Sequence, residues 1–170
     1  MELRKLKEKD AELMLEWMHD KSVTEYLAKD FSSMTIENCT KFIESAQDMT
    51  KNAHYAVTDE NDEYMGTVSL KNIDNEKKEA EFAITMRKTA QGKGFARFAI
   101  QEIVRKAIEE MNLELVYWDV RKSNVHAVHF YDKAGGKKLE GEKAAFYLEK
   151  MEIPQKEQDD YICYFADMCI

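Results

Sequence analysis

Two glycines two residues apart, in Gln91-Gly92-Lys93-Gly94-Phe95-Ala96, form the stretch best suited to holding an anion. Glycine turns the backbone tightly and lets it approach a ligand with no Cβ in the way. A helix opening straight out of such a turn offers unpaired N–H groups and the positive end of its macrodipole, and the combination binds phosphate. Lys93 and Arg97 stand beside the turn and could add charge; Lys93 equally fits a solvated loop position. Other groupings carry less. His126 and His129 are three apart, a spacing that can hold a metal, but no carboxylate or third ligand accompanies them, so no metal is expected. The three cysteines, Cys39, Cys163 and Cys169, show no CxxC pairing, and none stands in a nucleophile context. They fit the reduced thiols of a cytoplasmic protein.

The turn needs a strand before it and a helix after it. Phe82, Ile84 and Met86 alternate with smaller or polar residues, which predicts a strand over Ala80–Met86. From Phe95 the period becomes helical: Ala96, Ala99, Ile100, Ile103, Val104, Ala107, Ile108 and Met111 share one face. Leu115–Arg121 is a buried-type strand, parallel to the previous one because a helix joins them. Ser123-Asn124 caps a further helix that runs to about Ala134 and stops at Gly135-Gly136. Asn124, Ala127, Val128 and Tyr131 share one of its faces.

Upstream, Leu3–Leu6 is a short strand. Asp10 is the candidate N-cap of a first helix, Ser22–Lys29 a second helical segment, and Thr35 with Asn38 opens a third. This N-terminal block is expected over a sheet edge, shaping a pocket. His54–Thr58, Tyr64–Leu70 and Ala80–Met86 are predicted to form an antiparallel meander, with Gly66 marking a bulge or a close backbone approach. Lys137–Glu140 is a short strand, and Phe146–Met151 fits more than one element. Tyr161–Ile170 is apolar on both faces, as an interior strand is.

The 170 residues, 44% of them hydrophobic and 34% charged, suit a single domain over 1–170. One proline and six glycines leave no linker composition. No apolar run approaches the ~18 residues of a membrane span, and the charged Met1–Lys5 is followed by no apolar core, so neither membrane nor secretory leader is expected. A net charge of −8 argues against nucleic acid. It serves solubility, or else favours small cationic partners such as amines.

Two stretches resemble the GNAT superfamily of acetyl-CoA-dependent N-acetyltransferases. Gln91–Ala96 is similar to its Q/R-x-x-G-x-G/A signature. Asn124–Gly136 is similar to its second motif, N-x-x-A-x-x-x-Y-x-K-x-G-F, with Gly136 where the family carries phenylalanine. A dinucleotide fingerprint would need a third glycine and an acidic residue about 20 further on. The resemblance covers roughly residues 80–140. It implies an α/β fold: a mixed, mostly antiparallel sheet flanked by helices, with the fourth and fifth strands parallel and splayed.

The resemblance also implies site residues. The pyrophosphate of acetyl-CoA would lie on the backbone of Gln91, Gly92, Lys93, Gly94, Phe95 and Ala96, with Arg97 beside it. The pantetheine would pair with the backbone of Ile84, Thr85 and Met86, and Asn124, Ala127 and Lys133 would complete the cofactor set. Tyr131 would stand near the thioester sulfur. A phenol with a pKa of about 10 is protonated at neutral pH and can act as general acid; the alternative is an aromatic packed on the sheet. Glu81 is the leading proton acceptor, with an exposed strand residue as the alternative, and Asp119 a second candidate. Trp17, Tyr26 and Phe31 are candidates for the amine pocket.

The expected reaction is direct attack of a primary amine on acetyl-CoA in a ternary complex. The amine would belong to a polyamine, an amino sugar or a protein N-terminus. A homodimer is compatible with the resemblance. The alternative is a non-catalytic acyl-CoA-binding sensor.

Overall fold

The computed structural model describes residues 1–167. Among the described residues seven strands form one sheet: β1 (Glu2–Lys5), β2 (Ala53–Thr58), β3 (Tyr64–Asp74), β4 (Glu79–Met86), β5 (Leu115–Arg121), β6 (Lys137–Lys138) and β7 (Tyr161–Asp167). Their order is β1-β2-β3-β4-β5-β7-β6. Every neighbouring pair is antiparallel except β4 with β5, which is parallel as the helical connection predicted. The last strand was expected to reach Ile170; Met168, Cys169 and Ile170 lie outside the described residues.

Alternation along the strands separates two faces. On one, Val68, Leu70, Phe82, Val116 and Trp118 pack under α4 (Phe95–Glu109), whose Phe95, Ala99, Ile103 and Ala107 are buried. α5 (Val125–Lys133) lies on the same side, with Ala127, Val128 and Tyr131 against that cluster. On the other face, α1 (Ala11–Met18) and α3 (Ile36–Ser45) cover Ala56 and Tyr64, while α6 (Gly141–Lys150) covers Tyr117, Tyr161 and Cys163. The N-terminal block therefore lies on a sheet face, where the apolar stripes of two helices find an apolar surface to bury.

Other differences have local causes. Asp10 gives α1 no side-chain cap. Its buried carboxylate instead accepts from Arg4 Nη1 and Nη2 at 2.7 and 2.8 Å and from the Lys7 amide at 2.8 Å. The second segment is one turn, α2 (Lys21–Thr24), capped by Asp20. Thr35 and Asn38 do form the reciprocal cap of α3. The ambiguous stretch belongs to α6, which buries Tyr147 and Leu148.

Gly66 fits both of its readings. The β2–β3 register slips beside it, between Val57 and Thr58, and a Cβ there would stand 2.4 Å from the Thr85 carbonyl oxygen. Close approach of β3 to β4 at Thr85 thus depends on its lacking a side chain.

Candidate active site

β4 and β5 pair over three positions: Glu79 with Leu115, Ala80 with Val116, and Glu81 with Tyr117. Beyond them the strands part. β4 continues to Met86 bonded to β3 alone, so the other backbone edge of Phe82–Met86 faces a gap. The gap is a cavity of about 280 Å³. Ile84, Thr85 and Met86 form one wall; Trp118, Asp119, Asn124 and Tyr131 form the other; Gln91 stands at its end. Tyr26 with Val23 and Leu27, around α2, adjoins it.

The turn follows β4 through Arg87, a buried guanidinium that fixes the strand end. Its Nε and Nη2 donate to Glu16 of α1 at 3.0 and 3.1 Å, and its Nη1 donates to Glu63 at 2.7 Å and to the Tyr64 carbonyl at 2.9 Å. Gly92 and Gly94 then adopt φ of +73° and +87°, where residues with a Cβ are strained. A Cβ on either would meet nothing within 4 Å, so the space above the turn is open. No side chain caps α4 and no acidic residue sits in its first turn, so its N-terminal dipole is left for a ligand.

Arg97 and Lys133, far apart in sequence, line one groove of about 570 Å³ between α4 and α5. His126 and His129 line that groove too. Among the described residues no three histidine, cysteine or acidic side chains cluster as a metal site would.

These residues fit acetyl-CoA. The glycine turn is a cradle that side chains would fill, the free edge of Ile84–Met86 can take a strand-like partner, and the buried Trp118 indole N–H beside the gap has no hydrogen-bond partner among the described residues.

Tyr131 is half-buried, with its ring 5.2 Å from Trp118 and 5.8 Å from Tyr164. Burial pushes its phenol pKa up, and the nearby Asp119 charge adds to the rise. It is a packed aromatic whose side chain also lines the gap. Asn124 likewise combines its two readings: its side-chain oxygen accepts from the Ala127 amide at 3.1 Å, and the residue lines the gap.

The two acidic candidates differ. Glu81 is buried at the last position where β4 pairs with β5, ion-paired with Lys71 and accepting from Asn72 Nδ2 at 2.8 Å. Asp119 is half-buried and, among the described residues, is the one carboxylate lining the gap. Burial raises its pKa above the ordinary carboxylate range, helped by the Glu81 charge and opposed by Lys71 and Arg121.

A second cavity, of about 490 Å³, lies between the N-terminal helices and the sheet and shares Ala83, Ile84 and Thr85 with the gap. Trp17 and Phe31 line it with rings 5.2 Å apart, edge to face. Trp17 also serves the core, donating from Nε1 to the Tyr64 hydroxyl at 3.0 Å.

Gly136 replaces the expected aromatic without leaving its place empty. Trp118 and Tyr164 stack at 5.6 Å with planes 9° apart, and a Cβ on Gly136 would lie 3.1–3.2 Å from both rings.

Known proteins share the family and the fold of this chain. An acetyltransferase (GNAT) domain family matches residues 1–137. An uncharacterized N-acetyltransferase p20 of Bacillus licheniformis is 26% identical over 131 residues, 74% of this chain and 72% of that protein. The spermidine N(1)-acetyltransferase of Vibrio cholerae is 35% identical over 81 residues, 48% of this chain and about half (47%) of that protein. The fold is that of the Vibrio cholerae spermidine N-acetyltransferase crystallised with CoA and spermine, with a TM-score of 0.74 at 24% identity over 82% of both chains. A chimera of that enzyme with hSSAT gives 0.80 at 21% identity, over 98% of this chain and 95% of the other. With that domain spanning the parted strands, the glycine turn and both motifs, the chain belongs to the GNAT acetyltransferase family, as an acetyl-CoA-dependent N-acetyltransferase.

Proposed function

We propose that this protein transfers acetyl from acetyl-CoA to a primary amine by direct attack within the gap between β4 and β5. The observation that carries the reading is one cavity lined by the free edge of β4, by Gln91 of the glycine turn, by Tyr131 and by Asp119. Acetyl-CoA supplies the acetyl group as an activated thioester. The turn from Gln91 to Ala96 binds its pyrophosphate, Arg97 and Lys133 add positive charge, and Ile84 to Met86 hold the arm by backbone hydrogen bonds.

Asp119 takes a proton from the incoming ammonium, and Tyr131 gives one to the departing thiolate. Glu81, the first candidate for that base, is engaged by Lys71 and Asn72, so this reading gives the proton to Asp119 instead. Both titrating groups suit their tasks. A raised carboxylate is a stronger base than an ordinary one, and a raised phenol stays protonated at neutral pH. The named relatives support an amine acceptor, and polyamine, amino sugar and peptide N-terminus all belong to that class.

The test is CoA release from acetyl-CoA across an amine panel. Amine-dependent release supports transfer; tight acetyl-CoA binding with no release for any amine would instead favour the sensor reading.

A further inference from the structure

The cavity that shares Ala83, Ile84 and Thr85 with the gap limits what kind of amine can occupy it. Its walls are aromatic and thioether side chains, among them Trp17, Phe31, Phe42, Met14 and Met34. Its polar lining consists of neutral groups and two lysines, Lys29 and Lys71; among the described residues no carboxylate lines it. His54 adds no anion: its ring contacts the Ser69 hydroxyl at 2.7 Å, and burial, with Lys71 nearby, pushes its pKa down to about 4. Lys71 is bonded to Glu81, which lines neither this cavity nor the gap.

An ammonium in apolar surroundings is costly unless a counter-charge meets it. Asp119, in the gap, can meet one. Among the described residues no second carboxylate lines the cavity for another. We infer that the acceptor is a monoamine with an apolar body, its ammonium placed at Asp119 and its body against the Trp17–Phe31 wall, and not a polyamine. This rests on the transferase reading and goes beyond it by assigning the acceptor class. It runs against the acceptor named for the spermidine relative, whose alignment covers 48% of this chain.

The experiment compares hexylamine with 1,6-diaminohexane, equal in length and different by one ammonium, with 2-phenylethylamine and spermidine as further arms. The expected result is a kcat/KM at least tenfold higher for hexylamine than for the diamine, and higher for 2-phenylethylamine than for spermidine. A diamine or spermidine used as well as the monoamines overturns the inference and leaves the transferase reading standing. No turnover with any amine, despite acetyl-CoA binding, overturns both.

Asn38→Asp adds one carboxylate to the cavity at almost constant size. Its oxygen can still accept from the Thr35 amide, which Asn38 Oδ1 now does at 2.9 Å, so the helix cap survives. This variant is expected to raise kcat/KM for the diamine several-fold relative to hexylamine. An unchanged ratio in the folded variant counts against a charge-based exclusion.

Discussion

Lys71 and Glu81 are register partners across β3 and β4, and the ammonium of the first is bonded to the carboxylate of the second. The pair sits where β4 last pairs with β5 and leaves Asp119, one strand further on, without an ion-pair partner among the described residues. Removing one member of such a pair strands a charge with little solvent, whereas replacing both with apolar residues does not. Lys71→Met is expected to destabilise the fold by about 2 kcal/mol, below the ~3–5 of a fully buried pair because Lys71 is partly exposed. Lys71→Met with Glu81→Leu should recover most of the loss. Urea denaturation of the two variants checks this, and equal losses would mean that the pairing contributes nothing.

Asp119→Asn should separate activity from stability. The folded-state pKa of Asp119 lies above its unfolded value, so the group's contribution to stability is fully present below the unfolded value and is lost as pH rises through the folded one. At pH 8 the Asn variant, free of that half-buried charge, should melt higher than the parent; near pH 4 the difference should close. Its rate should fall, and the acidic limb of the parent's pH–rate profile should disappear. An unaltered limb would assign it to another group.

Tyr131→Phe retains the ring packing against Trp118 and Tyr164 and removes the acid. A loss in kcat of about 100-fold is expected, at the low end for general acids, with acetyl-CoA affinity unchanged by calorimetry. Full turnover would leave Tyr131 as packing alone.

The glycines should respond differently. At Gly94, open space but a φ of +87° predicts that alanine costs about 1 kcal/mol of backbone strain and weakens acetyl-CoA binding, because the new methyl enters the phosphate path. At Gly66 the obstacle is the Thr85 carbonyl, so alanine must push β3 from β4, at about 3 kcal/mol or more. Thermal melts and acetyl-CoA titrations of both variants should show binding lost at Gly94 with modest destabilisation, and both properties compromised at Gly66.

The parts legible in the sequence are those coded locally. The glycine turn, the Thr35–Asn38 cap and the Asn124 cap are each contained in a few consecutive residues. The engagement of Glu81 by Lys71 depends on strand register, which the hairpin turn at 75–78 sets and no local pattern reports. The amine cavity brings residues 14–42 over strands β2 to β4 through a loop without periodicity. The grouping of Arg97 with His126, His129 and Lys133 exists because helices from two different strand connections lie side by side. α6 was recoverable: Ala144, Tyr147, Leu148 and Met151 follow helical steps, but neither a side-chain N-cap nor a glycine stop marks its ends.

The three-position contact between β4 and β5 makes the sheet two leaves on a short hinge, with β1 to β4 on one side and β5 to β7 on the other. A ligand bonded to the free edge of β4 acts as the clasp between them. In the proposed reaction, departure of product would then require the two leaves to unclasp. The amides at the open edge of Phe82–Met86 are the natural reporters of that breathing, exposed to exchange when the clasp is off and shielded when it is on.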